Sequence, residues 1–265
     1  MQKYRADIAY IGTSYNGFQS QANGDSIQDR LEHTLGTLLR HPLRIRGASR
    51  TDAGVHAEQQ VISFLSDRKF DAETWKYSAN SLLPPDICIR NIVPVKESFD
   101  PINDAMGKVY RYRLWRGHCY VPFFKGYVWT VPPNTDFARL APLLQTFVGQ
   151  HDFSSFCNKD SDAATKVRTI FDARIDIREP LVDIWILGSG FLKQMVRIIV
   201  GTLVDILLGN LKENKIQTIL DSQKRETAGQ TAPPQGLNLV RIYYEEQKSL
   251  DSVIEESSRG FCWRV

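Results

Sequence analysis

The chain has 265 residues, of which 42% are hydrophobic and 24% are charged. This length and apolar content are sufficient for one large domain or two ordinary ones, and they indicate a globular protein. Lys and Arg outnumber Asp and Glu by 33 to 30, giving a net charge of +3. That charge excludes a histone-like basic protein and leaves a nucleic-acid partner open.

Nothing in the sequence indicates a targeting or membrane segment. The chain does not start with basic residues followed by an apolar run, and its most apolar stretch, residues 191–208, is interrupted by charged and polar side chains. We therefore expect a cytoplasmic protein with no membrane association. The cysteines form no C-x-x-C pair, so we expect free thiols, with neither a disulfide scaffold nor structural zinc. They are Cys88, Cys119, Cys157 and Cys262.

The first half of the chain predicts the element order β-α-β-β-α-β. A helix over residues 26–40 has apolar residues at helical spacing, and Asp25 with Gln28 resembles a capping box. Pro84 and Pro85 end a second helix, predicted over residues 72–83. Strands are predicted at 4–11, 43–47, 59–66 and 87–95. This is the order of the ferredoxin-like fold and of many RNA-binding modules.

The second half predicts a related set of elements after a connector around residues 101–105. Together the two halves predict an α+β protein with domains at 1–105 and 106–246. A charged, serine-rich tail follows at 247–265, and its Phe261 and Trp263 indicate that it docks onto another part of the protein. The predicted strands of the second half are 108–116, 126–131, 166–178, 181–187 and 237–245, and its helices are 136–148, 191–208 and 212–222.

Residues 49–58, between two predicted strands, combine acid, base, hydroxyl and glycine side chains in one loop. Loops held by rigid elements are where catalytic residues commonly lie, so we predict a catalytic loop. Asp52 stands among small residues that leave room for a bulky substrate, which predicts a nucleophile. The alternative is an aspartate that only accepts backbone hydrogen bonds in a turn.

Arg197 lies in the middle of the apolar helix predicted over residues 191–208. A buried guanidinium stays charged and needs a carboxylate or several acceptors. We predict that Asp52 is its partner, because such a pair would keep the carboxylate ionised and oriented. The alternatives are that Arg197 reaches solvent, or that it pairs with Asp205 two turns further along the helix.

Two other patterns indicate possible partners. Basic and aromatic residues alternate over residues 108–116, which suits RNA but is equally typical of a half-exposed strand with solvated arginines. His56-Ala57-Glu58 matches the H-x-E element of zinc nucleobase deaminases, yet no P-C-x-x-C accompanies it. No glycine-rich phosphate motif is present, so no nucleotide cofactor is indicated.

Residues 47–57 (Gly-Ala-Ser-Arg-Thr-Asp-Ala-Gly-Val-His-Ala) resemble the signature loop of the TruA family of tRNA pseudouridine synthases. The resemblance implies isomerisation of uridine to pseudouridine in the tRNA anticodon stem-loop, at positions 38 to 40, with no cofactor or metal. It also implies two ferredoxin-like halves whose antiparallel sheets join around a central catalytic cleft, and a cytoplasmic homodimer that binds tRNA across both subunits. Further segments follow in the family's order, at 108–112, 149–153, 191–197 and 232–237.

The resemblance also assigns roles to single residues. Asp52 matches the catalytic aspartate, and Arg197 matches the arginine that pairs with it. Tyr110 matches the active-site tyrosine, whose ring could stack on the extruded uracil and whose hydroxyl could assist removal of the C5 proton. Arg50 matches the loop arginine that fills the space of the flipped base. We expect His56 of the same loop to bind substrate.

Phe18 departs from the family pattern, which commonly has Trp at this position. Because that segment lies near the RNA-binding cleft in the family, Phe18 bears on the choice of target uridines. A protein of another class also remains open: a non-catalytic RNA-binding protein on the same scaffold. Loss of turnover with retained tRNA affinity on replacing Asp52 would separate the two.

Overall fold

The computed structural model describes residues 1–22, 24–120, 122–246 and 249–260. The fold is mixed α/β and contains two compact units. Unit 1 comprises Met1–Lys108 and Pro234–Glu245, and unit 2 comprises Val109–Pro233 with the chain from Glu246 onward. The final predicted strand thus lies in unit 1 instead of the second half, and the described part of the predicted tail, residues 249–260, belongs to unit 2. Over the described ranges, no helix is long and apolar enough to cross a membrane.

The strands and helices follow the sequence predictions closely in most of the chain. In order, the strands are β1 (Gln2–Tyr10), β2 (Arg46–Gly47), β3 (His56–Ser66), β4 (Ile87–Val95), β5 (Gly107–Arg116), β6 (Trp129–Val131), β7 (Gly149–Asp152), β8 (Val167–Arg178), β9 (Leu181–Gly188) and β10 (Leu237–Tyr243). The α-helices are α1 (Ile27–Leu39), α2 (Ala72–Leu82), α3 (Leu140–Gln145), α4 (Met195–Leu207), α5 (Ile216–Ser222) and α6 (Asp251–Gly260).

Unit 1 is an antiparallel sheet in the order β4-β1-β3, and the short β2 pairs with the far edge of β3. The same edge of β3 pairs in parallel with β10, where His56 and Ala57 face Asn238 and Leu239. Apolar side chains of α1 are fully buried, which gives the sheet a helical cover. This pairing places the start of β3, and the loop before it, against β10.

Helix α1 begins one residue later than the predicted capping pair. Ser26 is the N-cap, and its hydroxyl accepts a hydrogen bond from the backbone N–H of Asp29, whose carboxylate accepts from the Ser26 N–H in return. The capping box is therefore Ser26 with Asp29, not Asp25 with Gln28. Ser is a strong cap because its short side chain reaches the free N–H groups of the first turn.

Unit 2 has the strand order β5-β9-β8-β7, with β6 paired to β5 in parallel. The antiparallel pairs β8–β9 and β7–β8 form its far side, and β7 was not predicted because its four residues, Gly149–Asp152, carry no alternating apolar signal. Almost every residue of α4 is buried. This helix is the centre of the core of unit 2.

All three predicted helices of unit 2 are shorter than predicted, and the third, α5, starts at Ile216 after a 3-10 turn instead of at residue 212. Helix α4 starts at Met195 instead of residue 191, because Gln194 has a left-handed backbone with φ of 63°. Helix α3 starts at Leu140 after a 3-10 turn, instead of at residue 136. Pro142 then falls in its first turn, where a missing backbone N–H costs no hydrogen bond.

The predicted tail contains helix α6, which was not predicted from its serine-rich composition. Leu250 and Val253 are buried in unit 2, and Asp251 forms an ion pair with Arg174 of β8. The backbone N–H of Leu250 also donates to Asp172 at 3.0 Å. The described part of the tail therefore docks through these residues. Phe261 and Trp263, on which the docking prediction rested, lie outside the described residues.

Candidate active site

The Asp52 loop, defined here as residues 48–55, leads from β2 to β3 in unit 1. Its first residues are clamped by the fully buried Gln60 of β3. The Gln60 side-chain oxygen accepts from the Ser49 N–H at 3.1 Å, and its amide group donates to the Ser49 carbonyl at 2.6 Å. Lys108 donates to the Ala48 carbonyl at 2.8 Å. Both groups fix the path by which the chain enters the loop.

The tip of the Asp52 loop is held by backbone packing. The Thr51 carbonyl accepts from the Phe18 N–H at 3.0 Å, and the Thr51 hydroxyl bonds with Tyr10 at 2.7 Å. Gly17 lies so close that a Cβ atom there would be 2.8 Å from the Thr51 carbonyl oxygen, and its φ of 89° also favours glycine. A small residue at position 17 therefore lets the backbone approach the loop.

Asp52 sits at the turn of this loop with a partly exposed side chain. Its carbonyl accepts from the Val55 N–H at 3.1 Å, which closes the turn. Gly54 follows with φ of 80° and packs on Pro234, to which a Cβ atom would come within 3.0 Å. Arg50, two residues before Asp52, is exposed. The backbone is thus fixed around a carboxylate that a large substrate can approach.

His56 is buried at the start of β3, and backbone groups engage both of its ring nitrogens. The Gly12 N–H donates to Nδ1 at 3.1 Å, so that Nδ1 carries no proton and Nε2–H donates to the Gln235 carbonyl at 3.1 Å. A Cβ atom at Gly12 would lie 2.0 Å from the Val55 carbonyl oxygen. These contacts give His56 a positioning role under the loop.

Glu58, the acid of the H-x-E element, accepts from Asn238 of β10 at 2.6 Å. Its backbone carbonyl also accepts from Arg90 at 3.1 Å. Among the residues that the structure describes, no group of three His, Cys, Asp or Glu side chains could hold a metal ion. The carboxylate of Glu58 therefore serves to connect two strands of unit 1.

Phe18 is buried beneath the Asp52 loop, with only 2% of its surface exposed. Its ring packs directly on Gly47, where a Cβ atom would be 2.2 Å from the ring. Tyr10 lies beside it with 6.2 Å between ring centroids. Phe18 therefore supports the loop from below, and a side chain so buried does not face a large substrate.

Tyr110 and Arg197 both lie in unit 2. Tyr110 projects from β5, is 6% exposed, and packs edge to face on Phe191 with 5.0 Å between ring centroids. Arg197 lies in the first turn of α4 and is partly exposed. Its Nε–H donates to the Ala232 carbonyl at 2.8 Å, and its own carbonyl accepts from the Ala232 N–H at 3.0 Å. These two bonds fix the orientation of the guanidinium.

The segment that receives Arg197, residues 228–233, is called the Ala232 segment below. Gly201 of α4 allows its close approach, since a Cβ atom there would be 1.9 Å from the Gln230 carbonyl oxygen. Asp205 accepts from both the backbone N–H and the side-chain amide of Gln230, each at 2.9 Å, and from Asn210 at 3.2 Å. Asp205 is thus committed to Gln230 and Asn210, and the alternative pairing of Arg197 with Asp205 is not seen.

Tyr112 is a residue near Arg197 that the sequence analysis did not single out. Its hydroxyl donates to the Pro233 carbonyl at 2.8 Å, next to the carbonyl that receives Arg197. Burial raises the pKa of the Tyr112 phenol well above its usual value, and the charge of Arg197 opposes that rise. The alternation of Tyr110 and Tyr112 on one face of β5 is the sequence signal that could have identified it.

The arginines of β5 have partners within unit 2. Arg113 forms a two-pronged ion pair with Asp183, with both distances 2.7 Å. Arg111 is buried, lies over the Trp185 ring at 5.3 Å, and donates to Ser257 of α6 at 2.9 Å. These two side chains therefore stabilise the unit, and the alternating basic pattern of the strand does not by itself provide an RNA-binding face.

Comparison with known proteins gives consistent matches over most of the chain. The family model described as tRNA pseudouridine synthase matches residues 6–102 and 143–245, which include Asp52 and Arg197 but not Tyr110. A protein of Acetivibrio thermocellus named tRNA pseudouridine synthase A is 38% identical over 244 residues, covering 92% of this chain and 100% of the relative. A protein of the same name from Exiguobacterium sibiricum is 38% identical over 248 residues, covering 94% and 99%.

A solved structure matches far less closely. The crystal structure of a Cbf5-Nop10-Gar1 complex aligns with 90% of this chain and 59% of the matched chain, at 10% sequence identity and a TM-score of 0.35. That likeness is too low to support an assignment of fold.

Proposed function

This chain belongs to the tRNA pseudouridine synthase family, and on that premise we propose that Asp52 is its catalytic aspartate and that it acts on uridines 38 to 40 of the anticodon stem-loop. The protein is an isomerase that converts uridine to pseudouridine in tRNA. In this reaction the bond between C1′ and N1 breaks and a bond between C1′ and C5 forms. The C5 proton then leaves and N1 gains a proton, so that no atom is lost or added.

The observation that carries the assignment of Asp52 is the construction of its loop. The backbone at Thr51, Asp52 and Val55 is fixed by hydrogen bonds, while the Asp52 carboxylate remains partly exposed. A nucleophile needs this combination, because it must reach a ribose carbon from a fixed position. The carboxylate attacks C1′ of the target nucleotide or removes a ribose proton, and either route begins from the same geometry.

Arg197 is proposed to pair with Asp52 and keep its carboxylate ionised. The Ala232 carbonyl already holds the Nε–H of Arg197, which fixes the plane of the guanidinium. In our proposal the terminal nitrogens of Arg197 donate to Asp52. Arg suits this task because its charge persists at every working pH.

Three further side chains are proposed to act on substrate binding, and one of them, Tyr110, contacts the target base. Tyr110 would stack on the uracil and assist the loss of the C5 proton, since its ring is held by Phe191 in a fixed orientation. Arg50 is exposed on the Asp52 loop and would occupy the space left by the flipped uridine. His56 would contribute to substrate binding indirectly, by fixing the loop through its two backbone contacts.

We also propose that the protein works as a cytoplasmic homodimer and that its fold consists of two ferredoxin-like halves around a catalytic cleft. In unit 1, the order β4-β1-β3-β2 with α1 and α2 as crossovers supports the first half. In unit 2, the order β5-β9-β8 with α3 and α4 as crossovers supports the second. The fourth strand of the second half would be β10, which clusters with unit 1.

The test is pseudouridine formation in an unmodified tRNA transcript, mapped by position, for the intact protein and for Asp52→Asn. We expect conversion at the anticodon stem-loop and a loss of about a thousandfold or more in the variant, with tRNA affinity changed little. Arg197→Met should lose activity at unchanged affinity as well, by about a hundredfold. The exposed Asp67→Asn is the matched control and should act like the intact protein.

The outcomes separate the alternatives. Full activity of Asp52→Asn would remove the aspartate assignment, and full activity of Arg197→Met would remove the pairing. An intact protein that binds tRNA but converts no uridine would identify a non-catalytic RNA-binding protein. Conversion at other uridines would retain the reaction and correct the target.

A further inference from the structure

A basic cavity of about 270 Å³ lies in unit 2, apart from the residues assigned above to catalysis. One wall is a 3-10 turn, Ser154–Phe156, with the residues that follow it. The other wall is the chain after α5, and Lys166, the residue before β8, also contributes. The lining residues are Ser154, Cys157, Asn158, Lys159, Lys166, Gln223, Lys224, Arg225 and Glu226.

The charge of the lining favours an anion. Lys159, Lys166, Lys224 and Arg225 provide four positive charges against the single carboxylate of Glu226, which pairs with Lys159. The remaining lining groups are one hydroxyl, two amides and one thiol, and the lining contains no aromatic ring on which a base could stack. A compact oxyanion fits this chemistry better than a nucleobase or an apolar ligand.

Two of these cations are held in place by neutral acceptors. Arg225 donates to the Gly229 carbonyl at 2.9 Å and to the Thr231 hydroxyl at 3.1 Å. Lys166 donates to the Ser161 carbonyl at 2.9 Å. Burial lowers the pKa of Arg225, which is the expected effect where a charge has lost water without gaining a full counter-ion. An anion entering the cavity would compensate that charge.

Hydrogen bonds and buried aromatic rings within unit 2 hold both walls of the cavity in place. Asp152 accepts from the Ser154 N–H at 2.8 Å and from its hydroxyl at 2.6 Å, while Phe153 before the turn and Phe156 at its end are fully buried. The buried Ser155 hydroxyl donates to the Ile219 carbonyl of α5 at 2.6 Å and so joins the two walls. Asp152 and Phe153, from the family segment 149–153, therefore have a structural role in holding this wall.

The cavity is also connected to the start of α4. Asn158 donates from its side chain to Gln194 at 2.9 Å and from its backbone to the Lys193 carbonyl at 3.0 Å. Arg197 lies three residues beyond Gln194, about one helical turn away. An anion bound in the cavity is therefore close in the fold to the helix that carries the proposed partner of Asp52.

We propose that this cavity is a phosphate subsite that binds one backbone phosphate of the tRNA substrate and so sets the position of the RNA relative to α4. This inference rests on the proposed function, because it takes tRNA as the ligand. The site reads no base, so it contributes affinity and positioning equally for every tRNA sequence.

The test compares Lys224→Glu with Lys212→Glu in the full chain. Lys224 lines the cavity and is exposed, so its replacement should leave folding intact, while Lys212 is exposed in the same unit outside the cavity. We expect the Kd for unmodified tRNA to rise about tenfold in Lys224→Glu only. Removing charge with Lys166→Met and Lys224→Met together should lower the slope of log affinity against log salt by about one, because the cavity holds a single phosphate.

A second arm distinguishes the RNA backbone from free phosphate. Inorganic phosphate is titrated calorimetrically into the intact protein and into Lys224→Glu. Saturable phosphate binding that Lys224→Glu abolishes, with tRNA affinity unchanged, would assign the cavity to free phosphate and overturn the proposal. Equal tRNA affinity and equal salt slopes in all variants would overturn it too.

The rate of pseudouridine formation at saturating tRNA separates this inference from the proposed function. Because the subsite acts through the RNA backbone and not on the reacting base, that rate should fall far less in Lys224→Glu than the tRNA affinity does. If the intact protein forms no pseudouridine but Lys224→Glu still weakens tRNA binding, the proposed function fails and the subsite stands. If pseudouridine forms normally and the variants bind like the control, the subsite fails alone.

Discussion

The Asp52 loop of unit 1 and the Ala232 segment of unit 2 are both irregular backbone, and a buried polar side chain clamps each of them, but the two clamps differ in charge. Gln60, a neutral amide, holds Ser49 through one donor and one acceptor. Asp205, a carboxylate, holds Gln230 through acceptors alone. Each clamp matches the backbone groups that face it, because a buried polar atom without a partner costs free energy.

The charge of each clamp determines how deeply it can be buried. A neutral clamp can be fully buried, as Gln60 is, since it carries no charge that needs water. A carboxylate clamp keeps 8% of its surface exposed and binds three donors. Replacing the amide by a carboxylate at position 60 should therefore lower the free energy of unfolding more than replacing the carboxylate by an amide at position 205.

The largest effect is expected from Gln60→Glu. The new carboxylate would face the Ser49 carbonyl, where Gln60 now donates at 2.6 Å, and it would place a charge at a fully buried position. We expect the free energy of unfolding to fall by about 3 to 5 kcal/mol, measured by urea denaturation. Pseudouridine formation should fall as well, because the entry to the Asp52 loop is lost.

The control for this change is Gln21→Glu. Gln21 also donates from its side chain to a backbone carbonyl, that of Asn16 at 3.1 Å, but it is exposed. Water can solvate the new charge there, so the stability should change by less than about 0.5 kcal/mol. Equal losses at positions 21 and 60 would show that burial is not what makes the amide necessary.

A smaller effect is expected from Asp205→Asn. One of the two oxygens becomes an amide group facing Gln230 or Asn210, so at least one charge-assisted hydrogen bond is lost while the shape is kept. The free energy of unfolding should fall by about 2 kcal/mol. Activity should fall further than this loss explains, because the Ala232 segment accepts the Nε–H of Arg197.

Asp221→Asn provides the comparison for that variant. Asp221 is exposed on α5 and accepts from Gln217 at 2.8 Å, so its replacement should change stability and activity little. If Asp205→Asn were as active as Asp221→Asn, the Ala232 segment would have no part in positioning Arg197.

The sequence predicted elements well where local rules determine them, and less well where distant contacts do. The Ile87–Val95 strand was predicted residue for residue, since its apolar pattern and the preceding prolines are local signals. The start of α4 was predicted wrongly, because the apolar pattern continues back to Phe191. Hydrogen bonds from Asn158 hold Lys193 and Gln194 outside the helix. No pattern within the helix carries that information.

The same distinction holds at the site. Asp52 and Arg197 could be selected from the sequence because an acid among small residues and an arginine in an apolar helix are locally unusual. Gln60 and Asp205 could not be assigned as clamps, since their partners, Ser49 and Gln230, are determined by tertiary packing. Polar residues at inward positions are the only sequence signal that indicates such roles.

The smallest effect is expected from Phe18→Trp, which restores the residue common in the resembling family. Phe18 is almost fully buried, and its ring lies against Gly47 beneath the Asp52 loop. Gly47 and Tyr10 must shift to accommodate the larger indole, so the free energy of unfolding should fall by about 1 kcal/mol. The choice of target uridine should be unchanged, because the side chain does not reach the surface.

Mapping pseudouridine by position for Phe18→Trp and for Phe18→Leu tests this directly. A new target site in Phe18→Trp alone would show that the residue selects the substrate, whereas a shared, small loss of stability with the same target would place it among the neutral contacts that hold the loop.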